Sequence, residues 1–263
     1  MRIFDCFMYY NEDVVLELRL NYLDQFVDQF LIVESTFNHK GERKNLNLRY
    51  VLNTHHHHDH VGINRALIDD ETVTVTDVYG CADRVTDIPG LTRPLTDGTR
   101  IEFGDETFEV WRTDGHVDGH LCFVHDEILF CGDTLFAGGC GYLFDGPASV
   151  MYESLMRLSR LADTVRVCCA HEYTVDNLKF AAFIDPENMY VRTRFENASR
   201  RVERGETTLP SSIAEERLTN PFLRTFDKQL LQSVSSIAGQ EVKVGVELFT
   251  LIRTLKDQKI HRH

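Results

Sequence analysis

The sequence predicts an α/β protein in three stretches: a β-α-β opening, a middle of short strands whose ends carry metal-ligand side chains, and a helical carboxyl-terminal region. Three observations predict it. Short apolar runs bounded by Gly, Asn and Asp recur between residues 49 and 170, as strands do. Before them, Leu16, Leu20, Leu23 and Val27 recur at helical spacing between two apolar runs. Beyond residue 176 the patterning is helical and includes the capping box Ser212-Ile213-Ala214-Glu215.

Composition bounds the function. A chain of 263 residues fits one large or two small domains and buries a real core. With 43% apolar and 26% charged residues it has the balance of a soluble globular protein. A net charge of −13 argues against a nucleic-acid backbone as partner, because such partners favour basic stripes. No apolar run approaches the ~20 residues of a membrane span, and the start Met1-Arg2-Ile3-Phe4-Asp5-Cys6 lacks the apolar core of a signal peptide. The seven cysteines show neither Cys-x-x-Cys nor framework spacing, so they read as reduced, buried thiols of a cytoplasmic protein. Adjacent Cys168 and Cys169 read as packing residues.

Taken in order, Ile3–Tyr10 is a strand, Asn11 caps the helix of Leu16 to Val27, and Phe30-Leu31-Ile32-Val33 is a second strand parallel to the first. Asn38 to Asn45 is a polar, basic loop. Tyr50-Val51-Leu52 is a strand, Thr72–Thr76 another, and Ile101 to Trp111 a hairpin turning at Gly104-Asp105. Leu121–Val124 and Ile128–Cys131 are strands joined by His125-Asp126-Glu127. A helix then buries Met151, Leu155, Leu158 and Ala162, and Val165–Cys169 is the final strand.

Directly after Tyr50-Val51-Leu52 comes Thr54-His55-His56-His57-His58-Asp59-His60. Read as His-x-His-x-Asp-His, an extended chain places His55 and His57 on one side, and a turn or helix start presents Asp59 and His60 to a neighbouring position. Four ligands are too crowded for one tetrahedral ion, so the spacing fits two. Imidazole with carboxylate suits zinc, iron or manganese better than calcium or magnesium. An affinity-tag remnant would not carry an interior Asp-His after an apolar strand. Three more ligand candidates follow strands: Gly115-His116, Gly132-Asp133 and Ala170-His171. Five His and two Asp are what two metals sharing a bridging carboxylate require. His120 and His125 read as supporting and surface residues, and His39, His56, His58, His261 and His263 as non-ligands.

These runs carry a resemblance. Thr54–Gly62, Gly115-His116 with Gly119-His120, Cys131 to Gly141 and Ala170-His171-Glu172-Tyr173-Thr174 resemble glyoxalase II, the hydroxyacylglutathione hydrolase family of the metallo-β-lactamase superfamily. The first motif marks the superfamily; the Gly132 to Gly141 and His-Glu-Tyr-Thr runs mark the thioesterase. The resemblance implies a metallo-β-lactamase αββα sandwich with a helical carboxyl-terminal substrate domain, divided as 49–175 and 176–263. It implies that His55, His57 and His116 bind one divalent ion, Asp59, His60 and His171 a second, and that Asp133 bridges. The ions are zinc, with iron or manganese as alternatives. Asp59 and Asp133 are the catalytic carboxylates, Asp59 serving as a ligand rather than a base. Tyr142, Phe144, Tyr173, Arg253 and Lys256 are the substrate contacts. Arg253 and Lys256 share a helix face at i, i+3 and match the family's glycine-carboxylate holders, with a solvated basic pair as the alternative. Tyr142 stands where the family has Arg or Lys, which weakens glutathione binding or widens the accepted thiols, and Ile63 replaces a Gly after His60-Val61-Gly62.

The first 48 residues depart from that family. Phe4-Asp5-Cys6-Phe7, Asn11-Glu12, Leu16 to Leu20 and Ile32-Val33-Glu34-Ser35 resemble the start of a glycosyltransferase family that transfers N-acetylglucosamine, over about 47 residues only. This atypical β-α-β segment reads as a framework without transferase activity, in which Phe30–Glu34 stands in for a family strand or leaves a sheet edge exposed.

The expected reaction is hydrolysis of S-(2-hydroxyacyl)glutathione, such as S-D-lactoylglutathione, to the acid and glutathione, as in methylglyoxal detoxification. The leaving thiol, with a pKa of about 8.5, departs without a strong acid. The expected partner is that small-molecule glutathione thioester, with no nucleic acid, no membrane and a monomeric chain. The alternatives are another hydrolase of the fold, acting on a lactone, a lactam or a different thioester, and a non-catalytic remnant.

Overall fold

The computed structural model describes residues 4–7, 29–32, 50–69, 75, 77–104 and 106–262. The chain divides into two compact units, Met1–Arg112 with Gly119–Phe123, and Thr113–Asp118 with Val124–His263.

In the first unit, β1 (Phe4–Phe7) and β2 (Gln29–Ile32) pair in parallel with Phe4 opposite Gln29, as the opening pattern predicts. The helix expected between them lies outside the described residues. β3 (Tyr50–Leu52), β4 (Asp77–Cys81) and β5 (Arg93–Leu95) form a parallel sheet in that order. Among the described residues β2 pairs with β1 and β3 with β4, so Phe30–Ile32 does not extend the three-stranded sheet.

Among the described residues between β3 and β4 lie two short helices, α1 (His58–Val61) and α2 (Asn64–Asp69). Val51, Val61, Val78 and Ile88 form the buried cluster here, flanked by Leu67, Val75 and Leu91. The strand expected over Thr72–Thr76 lies outside the described residues except for Val75, which has no regular structure. β4 carries Asp77 and Gly80, which interrupt an apolar run. A Cβ at Gly80 would stand 2.6 Å from Ile88 Cδ1, so the glycine is there for close packing. β5 contains Pro94, tolerated because among the described residues β5 is an edge strand. β6 (Arg100–Phe103) and β7 (Glu106–Arg112) form the expected hairpin, with Phe103 opposite Glu106 and Gly104 left-handed at φ 65°. β8 (Leu121–Val124) neighbours β7.

In the second unit, β9 (Ile128–Gly132) runs parallel to β12 (Arg166–Cys169), and β13 (Ser211–Ser212) pairs antiparallel with β12. β9 is followed by a small hairpin of β10 (Leu135–Phe136) and β11 (Gly139–Cys140). α3 (Ala148–Leu158) buries Met151, Ser154, Leu155 and Leu158. Ala162, expected on that face, lies beyond the helix and is exposed. Just beyond the helix, Arg217 Nε donates to Ser159 O at 2.8 Å and its Nη2 to Leu161 O at 2.7 Å, satisfying carbonyls that have no intrahelical partner. Five helices follow: α4 (Thr174–Ile184), α5 (Met189–Glu203), α6 (Ile213–Thr219), α7 (Lys228–Ala238) and α8 (Val246–Asp257). The Ser212 hydroxyl accepts from Glu215 N at 3.2 Å, the first half of the expected capping box. Among the described residues no helix is long and apolar enough to cross a membrane.

Candidate metal-ligand sets

The first set lies in the first unit. After β3 the chain stays extended, and Asn53 ties it to β4 twice, through its backbone N (3.0 Å) and its Nδ2 (3.1 Å), both donating to Tyr79 O. Leu121 N donates to Thr54 O at 2.7 Å. His57, at φ −60° and ψ 147°, is the residue before α1, and its carbonyl accepts from His60 N (2.9 Å) and Val61 N (3.1 Å). The expected helix start is therefore present and carries Asp59 and His60. His55 is fully buried, and its ring centroid lies 4.7 Å from that of His57 and 4.0 Å from that of His60. Thr54 Oγ1 is 3.1 Å from His55 Nδ1. Asp59 Oδ2 lies 3.6 Å from His60 Nε2. His120, also fully buried, stacks on His55 at 4.9 Å and 26°, consistent with a supporting role.

The second set lies in the second unit. Gly115, at φ 131°, leaves no room for a side chain, since a Cβ would stand 2.5 Å from Met151 Cα. This close approach, with Ser154 Oγ donating to Asp114 O at 2.7 Å, fixes the loop that carries buried His116. His116 Nδ1 is 2.7 Å from Tyr142 O. A carbonyl only accepts, so Nδ1 carries the proton and Nε2 offers a lone pair. That Nε2 lies 3.5 Å from Asp133 Oδ2, and His171 Nε2 lies 3.5 Å from Asp133 Oδ1, so the carboxylate sits between two imidazoles. Ala170 N donates to Gly132 O at 3.2 Å, joining the strand ends that carry Asp133 and His171.

The expected substrate contacts also lie in this unit. Tyr142, Phe144 and Tyr173 are all exposed. Phe144 lies edge-on to His116 (5.2 Å) and against Tyr142 (4.9 Å), while Tyr173 stacks on His171 (5.1 Å, 21°). Aromatic faces thus flank both second-set histidines. Arg253 and Lys256 are not a solvated pair. Arg253 is buried, its Nη2 2.6 Å from Asp257 Oδ1 and its Nη1 donating to Cys140 O at 3.2 Å. Lys256 Nζ is 2.8 Å from Asp176 Oδ2. His261, read as a non-ligand, is buried 3.4 Å from the other Asp176 oxygen. Burial pushes the Cys140 thiol up to about 11 and the Cys169 thiol up to about 12, so neither is a thiolate near neutral pH.

Sequence reasoning missed Asn177, Arg194, Glu216 and Asn220, all buried polar residues of the helical region. Glu216 and Asn220 stand four residues apart, with buried Ile213 and Thr219 nearby, so polar residues recurring on an apolar helix face were the available signal.

Two family models match the chain: the metallo-β-lactamase superfamily over residues 82–171, and the hydroxyacylglutathione hydrolase C-terminus over residues 172–259. The chain is 44% identical to a hydroxyacylglutathione hydrolase of Pseudomonas aeruginosa (strain LESB58) over 211 residues, 79% of this chain and 80% of that one. It is 43% identical to a hydroxyacylglutathione hydrolase of Nitrosomonas europaea over 209 residues, 79% and 78% of the two chains. Among solved structures it is similar to ETHE1 from Myxococcus xanthus, with a TM-score of 0.51 and 26% identity over 80% of this chain and 70% of that one. The fold is that of the metallo-β-lactamase superfamily, α/β with a helical carboxyl-terminal region, and its His and Asp groups suit divalent metal ions. Within that superfamily the chain belongs to the hydroxyacylglutathione hydrolase family. The transferase likeness of the first 47 residues is not borne out; the two matching models cover residues 82–171 and 172–259.

Proposed function

We propose that this chain is a dinuclear metal-dependent thioesterase that hydrolyses S-(2-hydroxyacyl)glutathione to a 2-hydroxy acid and glutathione. The observation that carries the reading is the 44% identity to a hydroxyacylglutathione hydrolase over four fifths of both chains. Asp133 between His116 and His171, at 3.5 Å from each, supports a bridging role for that carboxylate. His55, His57 and His116 are assigned to one ion, Asp59, His60 and His171 to the other, and Asp133 to both. The donor set of five imidazoles and two carboxylates fits zinc first, with iron or manganese as alternatives. Bound there, such ions lower the pKa of water to about 7 and act as Lewis acids toward a thioester carbonyl.

The chain's own residues do the rest. The Tyr142 carbonyl fixes the His116 tautomer. Tyr142, Phe144 and Tyr173 present aromatic faces to the acyl and peptide parts of the substrate. No protein acid is needed at the leaving sulfur, because the departing thiolate is stable near neutral pH. Asp59 acts as a ligand. Arg253 and Lys256 are the proposed holders of the glutathione carboxylate.

A different thiol is the second reading. It is favoured by Tyr142 in place of a cation and by the internal partners of Arg253 and Lys256, which leave less positive charge for a glycine carboxylate. A panel of S-D-lactoylglutathione, other thioesters, a lactone and a β-lactam tests both. The glutathione thioester is expected to give the highest kcat/KM. A lactone or β-lactam turned over faster than any thioester would overturn the thioesterase reading.

A further inference from the structure

The β10–β11 hairpin links Asp133 to Tyr142, the residue whose carbonyl holds His116. Side chains from the helical region grip this hairpin at every residue from Phe136 to Cys140. Asn220 Nδ2 donates to Phe136 O (3.2 Å) and Gly139 O (2.9 Å), and Asn177 Nδ2 donates to Ala137 O (3.1 Å). Gly138 N donates to Glu216 Oε2 (2.8 Å), and Arg253 Nη1 donates to Cys140 O (3.2 Å). The fit is also steric: a Cβ at Gly139 would stand 2.6 Å from Asn177 Cγ, and one at Gly138 would stand 2.9 Å from Leu178 Cδ2.

Glu216 is the centre of this grip. It is fully buried and receives four donors. Gly138 N and Asn220 Nδ2 reach Oε2, while Arg194 Nη2 and Ser211 Oγ reach Oε1. Each carboxylate oxygen meets two donors, a set that a carboxamide does not match, since it would turn its own NH2 toward one pair. A buried ion pair is a poor source of stability compared with apolar packing, so its use here calls for another explanation. The hairpin begins two residues after Asp133, and a carboxylate that must reach two partners at once tolerates little displacement.

We propose that Glu216, with Asn177 and Asn220, is a positioning group: it holds the Leu135–Cys140 hairpin so that both oxygens of Asp133 stand between His116 and His171. This rests on the two-metal reading and gives the helical region a part in building the metal centre as well as in holding substrate. Arg194 acts through Glu216 by neutralising it.

The test compares full-length wild type, Glu216→Gln and Asn177→Ala after loading with cobalt(II). Cobalt absorption, affinity in competition with a chelator, kcat, KM and the thermal midpoint are read on each. Glu216→Gln is expected to shift the cobalt bands, weaken metal binding about 10- to 100-fold and lower kcat with KM within about twofold. Asn177→Ala, which keeps the ion pair, is expected to move the same readouts by about a factor of ten or less. It decides the matter alone if Glu216→Gln does not fold. Wild-type cobalt bands and affinity in variants whose only change is a lower midpoint would overturn the proposal and leave the network a plain stabiliser. A wild-type chain that takes up no cobalt would overturn the metal reading and this one with it, whereas normal uptake in wild type and variants alike overturns this one only.

Discussion

In the first unit four ligand candidates fall within six consecutive residues, whereas in the second His116, Asp133 and His171 come from three strand ends separated by long stretches of chain. The first set needs little beyond its own backbone: a strand that ends at Leu52, an extended run and one helical turn bring its rings together. The second depends on groups remote in sequence. Gly115 must lie against Met151, Tyr142 must return its carbonyl to His116, and the hairpin after Asp133 is gripped from the helical region. A locally encoded set keeps its geometry when distant side chains change; an assembled set does not. Damage remote from the ligands should therefore reach function through the second set.

The largest effect that sharpens this contrast is loss of a ligand from either set. His57→Ala and Asp133→Ala should both reduce turnover to background. Asp133→Ala should also lower metal content further, because it serves both ions in the proposed assignment. Equal metal content in the two variants, measured by elemental analysis, would remove the bridging role.

Next comes the support of the second set. Arg194→Ala leaves Glu216 charged and buried without its guanidinium, and loss of one partner from a buried pair costs about 3–5 kcal/mol. Urea unfolding should show that drop; a change below about 1 kcal/mol would mean that Glu216 finds another partner. The corresponding change beside the first set is smaller. Asn53→Ala removes one side-chain bond to Tyr79 O while the backbone bond remains, so the expected cost is about 1 kcal/mol with metal content unchanged.

The smallest effect is in alkali. The Cys140 and Cys169 thiols are raised by burial from 9.0 to about 11 and about 12. A raised acid favours the protonated folded state, so this contribution is complete below about pH 9 and is lost as the pH rises through about 11 to 12. Folded protein should resist alkylation at both thiols at pH 8. Fast native-state labelling of Cys140 or Cys169 would show that the hairpin and β12 open readily.

Much of the first set was legible because it is local. His-x-His-x-Asp-His after Tyr50-Val51-Leu52 states both the candidate ligands and the helix start that presents them. The second-set candidates stood out one by one, as Gly-His, Gly-Asp and Ala-His after apolar runs, and the hairpin joining Phe103 to Glu106 could be placed from its turn residues. What escaped was tertiary. β4 hides behind Asp77, which is bonded to Arg93, and Gly80, whose place is set by close packing on Ile88 rather than by strand propensity. Helix α3 stops at Leu158, and the carbonyls of Ser159 and Leu161 just beyond it are met by Arg217, far along the chain. The sequence offered Arg253 as a cation on a helix face, and only the fold places its guanidinium against Asp257 and Cys140. For the Glu216 network the sequence offered only the recurrence of polar residues on an apolar helix face, since the donors that meet the carboxylate are brought together by the tertiary fold.

The most direct test of the two-set account is hydrolysis of S-D-lactoylglutathione by the purified full-length chain, with metal content determined on the same sample before and after chelation. The account predicts about two divalent ions per chain, turnover that disappears with them, and turnover restored when they are returned. Undiminished hydrolysis by the metal-free chain would contradict it.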